Sequence, residues 1–168
     1  MIATTLAPRR VAPGTGEIYH VLGEQVTCKA LAAETGGAYS LFERRTEPGL
    51  GSAPHTQQHE DEAFFVLEGT YRALIGEEEV DLGPGSYVFV PRGTVHAITN
   101  VGATPARMLI MITPGGNYEQ FIAEIGERIS DPLAFSPGLP PSETRVALAG
   151  AKYGIAFHAA PRAFAAAA

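Results

Sequence analysis

The sequence predicts an all-β protein, a sandwich or barrel, and two observations carry that prediction. Glycine (19 residues) and proline (13 residues) are spread along the chain as punctuation instead of gathering in one linker. Short apolar segments lie between them at regular spacing, a pattern of many short strands and not of helices or βαβ units. A length of 168 residues with 45% hydrophobic content suits a single domain with a real core.

The elements follow in order. Residues 1–16 end in Ala12-Pro13-Gly14-Thr15-Gly16 and read as an N-terminal arm with little local structure. Residues 17–114 carry the strands. Ile18 to Leu22 and Glu24 to Ala32 are two strand candidates, and Glu34-Thr35-Gly36-Gly37 is a turn. Ala38 to Thr46 alternates in polarity and ends in the Arg44-Arg45 pair. After Glu47-Pro48-Gly49-Leu50-Gly51, the run Ala63-Phe64-Phe65-Val66-Leu67 is a buried strand closed by a hairpin turn at Gly69. Tyr71 to Ile75, Val80 to Leu82, Ser86 to Val90, Val95 to Asn100 and Ala106 to Ile112 complete a set of nine or ten short strands. Residues 115–168 change character and are expected to pack on the barrel as helices and a tail. Asn117 can cap a helix, with Gln120 in capping-box position and Phe121, Ile122 and Ile125 at helical spacing. Residues 130–141 form a proline-rich loop, Ser142 caps a last helix to about Tyr153, and Gly154 stops it. The alanine-rich tail is expected to fray.

Composition excludes several functions. A net charge of −6, with no Lys/Arg cluster beyond Arg9-Arg10 and Arg44-Arg45, argues against nucleic acid and anionic membranes as partners. No apolar run reaches the roughly eighteen residues of a membrane span, and the N-terminus lacks the pattern of a secretory signal. A lone cysteine, Cys28, fits a reducing, cytoplasmic setting. It reads as a small buried hydrophobe.

Chemistry concentrates in Pro54 to Gly69, PHTQQHEDEAFFVLEG. His55 and His59 precede Glu62, so two imidazoles and a carboxylate fall within eight residues at the start of a buried strand. Nitrogen and oxygen donors placed there suit a divalent metal. The group is incomplete alone, and its complement is His96. Along an extended segment His55, Gln57 and His59 share a face. Glu62 breaks that parity, so a bend or bulge between 59 and 62 is needed to bring it in.

Two segments now form a pattern, His55-x-Gln57-x4-Glu62-x6-Gly69 and Gly85-x5-Pro91-x-Gly93-x2-His96-x3-Asn100. Here the sequence resembles the cupin superfamily, whose motifs are G-x5-H-x-H-x3-4-E-x6-G and G-x5-P-x-G-x2-H-x3-N. The second motif is met at every position. The first is met at His55, Glu62 and Gly69; for its leading glycine, Gly49 sits at the expected place and Gly51 is nearby. Gln57 replaces its second histidine. The resemblance covers roughly residues 36–112. GEIYHVLGE, HEDEAFFVLEG, PGSYVFVPRGTVHAITNVG and KYGIAF make the wider chain similar to small single-domain cupins called quercetin dioxygenase-like.

The resemblance implies a cupin β-barrel or jelly roll (a double-stranded β-helix) with a C-terminal helical extension. It implies a divalent transition metal, one of Fe, Mn, Ni, Co, Cu or Zn, with open positions for substrate or O₂. Three ligand sets are compatible with Gln57. His59 replaces the missing imidazole, giving His55, His59, Glu62 and His96. Gln57 binds weakly or through water beside His55, Glu62 and His96. Or the metal is lost, leaving a polar pocket in a binding barrel.

The expected function is a metal-dependent, dioxygenase-type oxidoreductase acting on a small phenolic or enolic compound. Glu62 is its catalytic residue, leaving the metal to take a proton from a bound hydroxyl. The alternatives are a non-catalytic binding cupin, or a cupin isomerase, cyclase or decarboxylase. A homodimer is expected from the resemblance. Phe42, Phe64, Val66, Tyr71, Phe89, Ile98, Met108 and Ile110 alternate suitably to line the interior, and such a cavity suits a flat aromatic or similarly apolar molecule. His20 and His158 read as packing or surface, and Arg72, Arg92 and Arg107 as rim features. Glu77-Glu78-Glu79 reads as a solvated turn, and Glu60-Asp61 as solvent-facing beside an inward Glu62.

Overall fold

The structure, a computed structural model, describes residues 6–130 and 141–159. Its elements in chain order are β1 (Glu17–Val21), β2 (Glu24–Ala30), α1 (Ala32–Thr35), β3 (Ser40–Thr46), β4 (Gly51–Gln57) and β5 (Asp61–Glu68). Next come β6 (Tyr71–Ile75), β7 (Glu78–Leu82), β8 (Tyr87–Val90), β9 (His96–Asn100) and β10 (Ala106–Thr113). The chain continues with α2 (Asn117–Ile125), β11 (Glu127–Ile129), α3 (Glu143–Tyr153) and β12 (Ile155–Phe157). Among the described residues, no helix is long and apolar enough to cross a membrane.

The strands form two antiparallel sheets. The seven-stranded sheet runs β11-β1-β2-β3-β10-β5-β8, and the five-stranded sheet runs β12-β4-β9-β6-β7. The core lies between them. Alternation along β3 turns Ser40, Phe42, Arg44 and Thr46 inward, and along β10 Met108, Ile110 and Ile112. Val66 from β5 and Tyr71, Ala73 and Ile98 from the other sheet meet them. Each fully buried large apolar side chain contributes about 1.5–3 kcal/mol. Two interior contacts are polar and fix the ends of strands. Asn100 donates through Nδ2 to the carbonyls of Thr46 and Thr104, while its Oδ1 accepts from Gly102 N–H. The asparagine that closes the second sequence motif thus ties the end of β9 to β3 and to the following turn. At Gly51 the backbones of β4 and β9 come so close that an added Cβ would lie 1.9 Å from the Ile98 carbonyl oxygen.

Several expectations need correction. Among the described residues there are twelve strands. The additional two, β11 and β12, are three residues each, too short for periodicity to reveal, and exist because β1 and β4 offer edges to pair with. Glu34-Thr35 belongs to the short helix α1 and not to an open turn. Phe89 does not line the interior: it is 51% exposed, because Val88 and Val90 are the β8 residues opposite the inward Phe64 and Glu62. Residues 131–140 of the expected loop, and the tail from residue 160, lie outside the described residues.

The helices follow their signals in part. Ser142 accepts from Arg145 N–H, and Gly154 ends α3 in the left-handed region at φ 76°. In α2, Asn117 is the first helical residue and not the cap. The cap comes from elsewhere in the chain. Glu60, expected in solvent, is buried at 2% exposure and accepts the N–H groups of Asn117 and Tyr118. A carboxylate at a helix N-terminus meets both the unpaired amides and the positive end of the dipole. It docks α2 so that Tyr118, Phe121, Ile122 and Ile125 close the core.

Glu60→Ala removes this bond pair and is expected to lower unfolding free energy by about 1–3 kcal/mol, with Glu60→Gln losing less. Chemical denaturation checks it; an unchanged midpoint for the alanine variant would mean that α2 docks without Glu60.

Candidate metal centre

Three expected ligands converge between the sheets. His55 and His96 stand directly opposite each other on β4 and β9, with ring centroids 4.2 Å apart. Glu62 comes from β5 of the other sheet. The ligand atoms of His55, Glu62 and His96 all lie within 4.8 Å of one another, and all three residues are buried. The expected bend is present: β4 ends at Gln57, residues 58–60 turn the chain, and β5 starts at Asp61. A further irregularity between Ser52 and His55 sets the register that faces His55 to His96.

The turn around the site is held from three sides. Gly93 N–H donates to the Gln57 carbonyl, and Gln58 N–H donates to that of Gly154. Asp61 accepts from the Arg92 amide and from both Nε and Nη2 of its guanidinium. The Arg92 side chain and backbone hold the Asp61 carboxyl down at about 2. Arg92 therefore ties the β4–β5 turn to the β8–β9 turn, next to Glu62 and His96. Arg72 pairs with Asp81, and Arg107 with Glu43 and Glu68, all at the surface.

Hydrogen bonds fix the tautomers. His55 Nδ1 lies 2.8 Å from the Ala53 carbonyl, and His96 Nδ1 lies 3.0 Å from the Thr94 carbonyl. A carbonyl only accepts, so each Nδ1 carries hydrogen and each Nε2 is left for the site, the arrangement of metal-binding histidines. Burial, with the charge of His96, lowers His55 to about 4, so it presents a neutral imidazole. His96 Nε2 faces Glu62 Oε2 at 2.9 Å. A neutral His96 and an ionised Glu62 would there set a lone pair against a lone pair, so the pair holds one proton between them. Burial disfavours the charges, but hydrogen bonding and mutual attraction outweigh it, raising His96 and lowering Glu62.

Gln57 belongs to the same cluster. Its Nε2 donates to Glu62 Oε2 at 2.7 Å. The reverse amide orientation would oppose two acceptors. Its Oε1 is therefore the free end, and it is buried and accepts no hydrogen bond among the described residues. A buried acceptor left this way is costly unless a cation or donor meets it. Two imidazole lone pairs, a carboxylate and an orphaned amide oxygen are a donor set that fits a divalent cation. His59 is placed apart. It is exposed in the turn, against Gly154, where an added Cβ would lie 2.4 Å from its ring.

The cavity beside this cluster, of ≈ 40 Å³, is not lined by the residues expected from alternation. Phe42, Phe64, Val66, Tyr71, Ile98, Met108 and Ile110 are consumed in the packed core. The walls come from β1, β2, α2 and β12, including Val26, Phe121, Ile122 and Phe157, with His55 at one side. Arg44 also lines it, and sequence reasoning missed it. The signal was available: Arg44 follows Phe42 by two positions on one strand and must share its inward face.

Comparison with known proteins agrees with this geometry. The cupin domain family Cupin_2 matches residues 42–112, from β3 to β10 and across both motifs. The tetracenomycin polyketide synthase protein TcmJ of Streptomyces glaucescens is 30% identical over 113 residues, covering 66% of this chain and 73% of that one. Quercetin 2,3-dioxygenase of Bacillus subtilis is 26% identical over 98 residues, but the match spans only 28% of that protein. An RmlC-like cupin from Shewanella frigidimarina shares the fold, with a TM-score of 0.56 over 65% of this chain and 93% of that chain, at 14% identity. With both motif halves brought together across the two sheets, the chain belongs to the cupin superfamily.

Proposed function

We propose that this chain is a metal-dependent cupin enzyme of oxygenase type acting on a small enolic or phenolic compound. His55, Glu62 and His96 hold a divalent transition metal, with Gln57 Oε1 as a neutral fourth donor in preference to His59. The observation that carries the reading is the Glu62 carboxylate: His96 Nε2 and Gln57 Nε2 converge on its Oε2, and Gln57 Oε1 is left without a partner. The substrate class draws support from two relatives, one named for a polyketide synthase and one for quercetin.

A metal at these donors would supply Lewis acidity and, if redox-active, electrons for chemistry with O₂. The chain's own groups do the rest. Glu62, relieved of the shared proton when a metal binds, is the base that accepts the proton of an enolic hydroxyl. Gln57 holds Glu62 Oε2 in place while it does so. Phe157 and Phe121 line the apolar side of the cavity next to His55. A cytoplasmic homodimer belongs to the same reading.

Protein purified without a chelating column is expected to carry close to one divalent ion per chain, with His55→Ala and His96→Ala each losing most of it. Metal at native levels in both variants would remove the assigned ligands. Binding displaces the proton held between His96 and Glu62. Because His96 is raised above its usual 6.5, apparent affinity is expected to go on rising with pH beyond 6.5, and to fall about tenfold per pH unit on the acid side. A pH-independent affinity, measured by calorimetry, contradicts proton displacement. Loaded protein is expected to consume O₂ with flavonols or diketones, and Glu62→Gln, compared at equal metal occupancy, to lose at least about a hundredfold in turnover. Full turnover in Glu62→Gln would sink the proton-transfer role. Conversion without O₂ uptake would move the reaction to an isomerase or decarboxylase.

A further inference from the structure

The barrel interior contains a second charged feature. Arg44, on β3, is 5% exposed and lines the cavity that also touches His55. Its guanidinium is poorly satisfied. Nη2 donates to Tyr118 Oη at 2.8 Å. Glu24 lies 3.6 Å from Nη1, inside ion-pair range but beyond a hydrogen bond. The other carboxylate oxygen of Glu24 is engaged by the Thr46 hydroxyl. Arg44 Nε and Nη1 are buried and donate no hydrogen bond among the described residues. A buried guanidinium with spare donors is expensive unless an acceptor, best an anionic one, completes it.

Its surroundings favour an anion. Tyr118 Oη accepts the Arg44 N–H, which leaves its own O–H to donate. Burial pushes that hydroxyl up to about 12, so it stays protonated. The wall also carries Val26, Phe121 and Phe157, which are apolar, together with Ser52 and Glu24, whose carboxylate is the one anion already facing Arg44 among the lining residues. The positive charge of Arg44 is felt at His55, Glu62 and His96 alike, which places it within electrostatic reach of the metal cluster.

We propose that Arg44, with the Tyr118 hydroxyl, is a carboxylate-recognising subsite at the barrel cavity. The small molecule handled at the His55–Glu62–His96 cluster therefore carries an acidic group that docks on Arg44. Its reacting end points toward His55. This narrows the substrate class to enolic or phenolic acids and rests on the metal-dependent reading for the reacting end only. Arg44 is a positioning residue, holding the substrate by a group that does not react. The cavity is small, ≈ 40 Å³, and Arg44 Nε and Nη1 are themselves covered, so a carboxylate reaches them by a shift of the side chains around Arg44.

The test is calorimetric titration with acetate and with its neutral analogue acetamide, on cobalt-loaded and on metal-stripped protein. Acetate is expected to bind at least about tenfold more tightly than acetamide in both forms. Arg44→Lys keeps the charge but loses the planar set of donors. It is expected to weaken acetate about tenfold with cobalt content unchanged. Arg44→Met combined with Glu24→Gln removes both buried charges together and is expected to abolish the preference for acetate. Tyr118→Phe should weaken acetate severalfold and serves where the Arg44 variants fail to fold. Equal binding of acetate and acetamide by the native protein overturns the proposal. So does native acetate affinity in Arg44→Lys, the result expected if Arg44 only ties β3 to Glu24. A chain that takes up no cobalt yet binds acetate through Arg44 would remove the metal centre and leave this subsite. Cobalt uptake with Arg44-independent acetate binding would do the reverse.

Discussion

A carboxylate placed inside an apolar barrel must be met by donors or cations, and Glu62 is met from across the fold. Its strand, β5, lies in the seven-stranded sheet, whereas Gln57 and His96, which reach its Oε2, come from β4 and β9 of the five-stranded sheet. Burying the group disfavours its charge, and the hydrogen bond and charge of His96, with the charge of Arg44, restore it. The two sheets are thus joined by a polar contact as well as by the Phe42, Met108 and Ile110 core. Breaking such a contact on one side leaves a buried charge unanswered, which is why truncating one partner of a buried pair costs about 3–5 kcal/mol.

Much of the surrounding architecture serves to place that carboxylate. Asp61 and Arg92 clamp the turns on either side of it. Glu60, one residue further back, faces the opposite way and caps α2. Three consecutive acidic residues therefore do three different jobs: Glu60 holds a helix, Asp61 holds a turn, and Glu62 faces the site. The helix that Glu60 holds brings Tyr118 to Arg44. β12, delivered by α3, lays Phe157 opposite His55. The C-terminal segment is thus part of the cavity wall and not an appendage to the barrel.

The strands and both motif halves were legible because alternation and Gly/Pro punctuation are local signals. His55, Glu62 and His96 could be named from spacing, and the need for a bend before Glu62 followed from strand parity alone. What was not legible depended on distant partners. β11 and β12 are short and acquire strand form only by pairing with β1 and β4. Glu60 looks like any solvated acid until α2 folds back over it. Phe89 and the inward β3 positions show the limit from the other side. Alternation was read in the wrong phase at Phe89, which turns out, whereas counted from Phe42 it would have put Arg44 inside, where its charge argued against looking. The roles of Gln57 and His59 were left open by the sequence because Gln57 ends β4 and His59 lies in the turn after it, whose path only the folded chain defines.

The donors proposed to meet in the barrel are two imidazoles, a carboxylate and the Gln57 amide oxygen. X-ray absorption at the metal edge of protein loaded with one equivalent of zinc or cobalt reads those donors directly. Two imidazole nitrogens with the remainder oxygen are expected at the metal, unchanged in His59→Ala. A shell containing a third imidazole that is lost in that variant would place His59 at the metal and contradict this donor set.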